Sequence, residues 1–164
     1  MQLKMTFKQI NDGFRKAIDK HLKEKNMEND AVKNTLKKIM INFIAEDFAI
    51  LQDAIDNDNK CDIKKPIKDI YFETLCANYI FYKHDFDAIL ESAVKKTNNM
   101  HDFIMSLDKR EHIRSIIKLL AEIDDSGLSE RNIAIIMITI RMISLQYDID
   151  FGECIADIKV EDVI

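Results

Sequence analysis

The stretch Leu128 to Gln146, LSERNIAIIMITIRMISLQ, constrains this chain more than any other. Ten of the thirteen residues from Ile133 to Leu145 are apolar, and Arg141 is the one charge among them. Ser129 stands where a helix N-cap belongs, and Leu128 and Ile133 occupy the two positions of a hydrophobic staple. This local grammar predicts a helix over 130–146, although isoleucine favours strands. A helix apolar on almost every face must be wrapped by other helices or by a partner chain. A bilayer span needs roughly 18 to 20 apolar residues. This run is shorter and carries Arg141, so no membrane segment is expected.

The rest of the chain reads as helices around it. Three glycines and one proline in 164 residues leave few turn residues for hairpins. Phe7, Ile10, Phe14, Ala17, Ile18, His21 and Leu22 recur at helical spacing and predict a first helix over 6–25, lysines outward. Asp30 is the expected cap of a second helix over 31–56. Its apolar positions are Val32, Leu36, Ile39, Met40, Phe43, Ile44, Phe48, Leu51 and Ile55, which suggests a spine for several helices. DNDNKCD, residues 56–62, reads as a loop. Its alternating acids fail the calcium-loop pattern, because Cys61 fills the sixth position and no Glu fills the twelfth.

Pro66 suits the first turn of a third, aromatic-rich helix over 66–83, where its missing N–H costs nothing. Asp85 caps a fourth helix, and Asp102 fits a cap in a short turn over 101–107. Asp108 with Glu111, and Asp150 with Glu153, have capping-box spacing before two further helices. The first of these ends at Ser126 and Gly127. The expected fold is therefore a single all-α globular bundle of seven or eight helices over 1–164. The 130–146 and 66–83 helices should form its centre. A chain this long buries about 70% of its unfolded surface, enough for a core without disulfide or metal.

Charge and cysteine content narrow the function classes. Residues 1–40 hold ten Lys or Arg and five acids, while the whole chain carries a net charge of −5. The basic first helix offers Lys16, Lys20 and Lys23 as candidate contacts for an acidic partner. Nucleic acid is disfavoured, since nucleic-acid domains usually have a pI above about 9 and this chain is acidic. Cys61, Cys76 and Cys154 are odd in number and widely spaced, with no zinc spacing, so a reducing cytoplasm is expected. MQLKMTFKQI has neither an apolar run nor a small-residue cleavage site, so no secretory leader is expected. With 27 Ile and 19 Lys against 5 Arg, the chain has the bias of an AT-rich genome, as in a low-GC bacterium, phage or virus.

Few residues offer catalytic chemistry. His84-Asp85 and His101-Asp102 are two His-Asp pairs. Helical metal-dependent phosphohydrolases hold their ions with a His, a His-Asp pair and a distant Asp, and the metal-bound water becomes hydroxide near neutral pH. His84, His101, Asp102 and Asp124 could be arranged that way. Yet HDFDA and HDFIM stand where a glycine and a lysine usually follow the pair. Glu122 and Asp125, one turn apart, are a second possible magnesium pair, but no ExxE accompanies them as the helical nucleotide pyrophosphatases require. There is no GxSxG and no Gly-rich phosphate loop. His21 and His112 lie beside apolar stripes and read as satisfied, partly buried side chains. Arg141 must snorkel to water, pair with an acid, or anchor an acidic group of a partner. The expected function is a non-catalytic interaction or regulatory protein of the adaptor type, working through protein–protein contacts or self-association, with no cofactor. The alternative is a metal-dependent helical phosphohydrolase acting on a nucleotide or phosphoester.

Overall fold

A computed structural model describes residues 5–26, 29–123 and 127–159. Among these the chain is all helical. In order it forms α1 (Phe7–Glu24), α2 (Asp30–Asp56), α3 (Lys60–Ala77), α4 (Phe86–Asn98), α5 (His101–Met105), α6 (Lys109–Ala121), α7 (Glu130–Gln146) and α8 (Phe151–Ala156). A wide π turn, Asn78–Tyr82, extends α3. One apolar core runs through the bundle from Ile10 to Ile158.

The ends of the helices follow their side chains. Thr6 and Gln9 form a full capping box on α1. Ser129 accepts from Asn132 N at 3.1 Å, as its position predicts. Asp150 likewise accepts from Glu153 N at 3.0 Å and Asp85 from Ala88 N at 3.2 Å. Four expectations need correction. Asn29, not Asp30, caps α2, since its Oδ1 reaches Ala31 N. Asp108 accepts from Arg110 rather than from Glu111. Asp102 lies inside the first turn of α5, where Met100 holds the cap position with no side-chain bond. Only residues 57–59 separate α2 from α3, because Asn59 caps α3 through Cys61 N and the helix starts there. Pro66 therefore lies in the second turn. Its absent N–H leaves one intrahelical bond unmade, and its ring is buried.

The two helices expected at the centre are there. α7 leaves only Glu130 and Arg131 exposed; Ala134, Ile135, Ile138 and Leu145 are half-buried and its other apolar residues are buried. It packs against α3, α4, α5, α6 and α8. α3 buries Ile63, Ile67, Ile70, Tyr71, Phe72, Leu75 and Cys76. α2 lies along α3 and α6, and Arg110 of α6 grips Asp56 at the end of α2 at 2.6 Å. At the α6–α7 turn Gly127 has φ +76, and any Cβ there would collide with the Tyr82 ring, so only glycine fits.

A buried polar network sets α1 on this core. The Tyr71 hydroxyl donates to Asn11 Oδ1 at 2.6 Å, and Asn11 Nδ2 donates to Asp87 Oδ1 at 2.8 Å. Arg15 then donates from both terminal nitrogens to Asp87, at 2.9 and 3.1 Å, and to Asp12 at 2.8 Å. Asn11 is fully buried, so each of its bonds replaces water that cannot reach it. Asn11→Ala strands the Tyr71 hydroxyl and one Asp87 contact. It should lower unfolding free energy by about 2–3 kcal/mol in urea titrations; a loss below about 0.5 kcal/mol would show that the network does not hold α1.

Candidate interaction surface

α2 has more apolar surface than its neighbours cover. Its inward side buries Met40, Ile44, Phe48, Leu51, Ala54 and Ile55. Leu36 and Ala45 are half-buried against the core, and four other large apolar side chains are exposed. Val32 is 41% exposed, Ile39 37%, Phe43 46% and Ile50 53%. No residue of α2 before Met40 is buried, although three turns precede it. The expected stripe thus divides, and Val32, Ile39 and Phe43 are not core. A 27-residue helix has room for two apolar faces, and the bundle fills only one.

Beside this stripe lies a small cleft of about 90 Å³ between α1, α2 and α3. Ile18, His21 and Leu22 form one wall and Leu36, Met40 and Phe43 the other. Phe72, Glu73, Cys76 and Ile80 form its floor. Glu73 is unusual there. Burial, a hydrogen bond with Asp47 and the nearby charges of Asp47 and Asp69 push its carboxyl up to about 9. At neutral pH it is a neutral acid donating to the Asp47 carboxylate. Its Oε2 is buried and has no hydrogen-bond partner. Lys65 binds Asp69 at 2.6 Å and partly offsets the acidic cluster. Burial pushes the Cys76 thiol up to about 12, so it stays protonated near neutral pH.

A larger, open groove of about 710 Å³ runs between the start of α1 and α4. Lys8 and Lys95 line it together with Asp85, Asp87 and Glu91, so no single charge converges on its centre.

The residues singled out in the sequence are scattered. Arg141 is half-buried. It donates to Asn98 Oδ1 at 2.8 Å, and its guanidinium carbon lies 5.8 Å from the Phe151 ring centre. Burial pulls its pKa below the usual arginine value, and the charge of Asp150 opposes this. No bare apolar face surrounds it. Lys16, Lys20 and Lys23 are exposed on the outer side of α1, where Lys20 meets Glu24 at 3.8 Å. His84 Nε2 binds the Leu128 carbonyl at 3.1 Å, its Nδ1 lying 3.7 Å from Glu130. His101 and Asp102 are exposed together at 3.6 Å. Asp124 and Asp125 lie outside the described residues. Among the described residues no three His, Cys, Asp or Glu side chains gather to hold a metal. His112 bonds Thr139 at 2.9 Å and is held below its usual pKa by burial.

No family model, curated protein or solved structure matches this chain. No helix among the described residues is long and apolar enough to cross a membrane.

Sequence reasoning missed Glu73 and the outward stripe. Glu73 looks like any solvated acid, since Asp69 is its neighbour one turn back on α3 but Asp47 arrives only when α2 and α3 pack. Its linkage to stability has a definite sign. The unfolded chain loses the Glu73 proton near pH 4.5, whereas the folded chain keeps it to about 9. Stability from this group is complete below about 4.5 and declines as pH rises toward 9. Glu73→Gln keeps a donor for Asp47 and removes the titration. It should raise the melting temperature at pH 8 by several degrees and change it little at pH 4.5, flattening the profile. A wild-type profile already flat from pH 5 to 9 would contradict this.

Proposed function

We propose that this protein is a non-catalytic interaction protein and that the outward side of α2 is its binding face. One observation carries the reading: four large apolar side chains, Val32, Ile39, Phe43 and Ile50, stand exposed along one flank of α2, beside the face that forms core. Scattered apolar residues are normal on a protein surface, but a continuous apolar stripe marks a contact site. Phe43 is the expected anchor, being the aromatic at the middle of the stripe and on the lip of the cleft. A helix face of this kind engages its partner as an amphipathic helix or groove does, through side chains at three- and four-residue steps.

The setting belongs to the same proposal. Three free thiols and an acidic surface suit the cytoplasm of a low-GC bacterium, or of a cell infected by a phage or virus with that composition. Lys16, Lys20, Lys23 and Arg141 remain secondary contact candidates. The phosphohydrolase reading finds no support in the placement of His84, His101 and Asp102. His84 is committed to the α6–α7 turn, and the other pair stands in the open on α5.

Because Phe43 is outside the core, Phe43→Glu should leave the circular dichroism spectrum and melting temperature essentially unchanged. In affinity capture from the native host with quantitative readout, the variant should lose whatever the wild type retains, by about tenfold or more. Equal retention by the wild type and a Phe43→Glu, Ile50→Glu double variant would remove α2 as the binding face.

A further inference from the structure

We draw no further inference here: the strongest candidate, the exposed apolar flank of α2 with the small cleft beside it, belongs to the site already described, and nothing in the structure shows what covers it.

Discussion

Tyr71 is the residue on which the bundle turns. It lies in the middle of α3 with no exposed surface, and three helices meet on its side chain. Phe86 of α4 and Phe151 of α8 meet its ring edge to face, with centres 5.6 and 5.9 Å away. Each such pair contributes about 0.5–1.5 kcal/mol beyond the area it buries. Its hydroxyl then reaches Asn11 of α1, and through it Asp87 and Arg15. An aromatic ring alone could hold α4 and α8 but would not select the rotation of α1. The hydroxyl does so, because a buried donor without an acceptor is costly and only one face of α1 offers Asn11. Burial accordingly pushes the Tyr71 phenol far above its ordinary pKa, keeping it a donor at every physiological pH.

With α1, α4 and α8 arranged around α3, and α7 enclosed by the rest, α2 is left at the outside. It can cover α3 and α6 with one face only. Its other apolar positions then have no place in the core, which is why the bundle carries its interaction candidate on its longest helix. The neutral Glu73 is a result of the same packing. α2 closes over α3 beside the cleft and brings Asp47 to the Asp69–Glu73 pair of α3 at the edge of the core, where one carboxyl keeps its proton. The described residues hold no cluster of His, Cys, Asp or Glu fit for a metal, and the four histidines are spread over three helices and one connection.

Much of the fold was legible in the sequence, and the helix boundaries show where legibility stopped. Ser129 and Asp150 act as caps as their spacing predicts, because a cap needs only a side chain two or three residues from a free N–H. Pro66 misled because a proline is tolerated in the second turn when its ring is buried, and burial is not local. Nine apolar positions on α2 read as one stripe, since periodicity counts faces but not neighbours. Asn11 and Glu73 look like solvated residues until helices about 60 and 25 positions away along the chain arrive beside them.

By itself the sequence determined that the chain is helical throughout its described length, where most helices begin, and that 130–146 is core. These follow from backbone capping and apolar period, which act within a few residues. Only the tertiary structure decided which apolar face was left over, which acid lost its charge, and that Arg141 bonds Asn98 and lies over Phe151. Those outcomes depend on which helix covers which. A bundle buries as much apolar surface as its geometry allows, and what remains uncovered is known only after every helix has been placed.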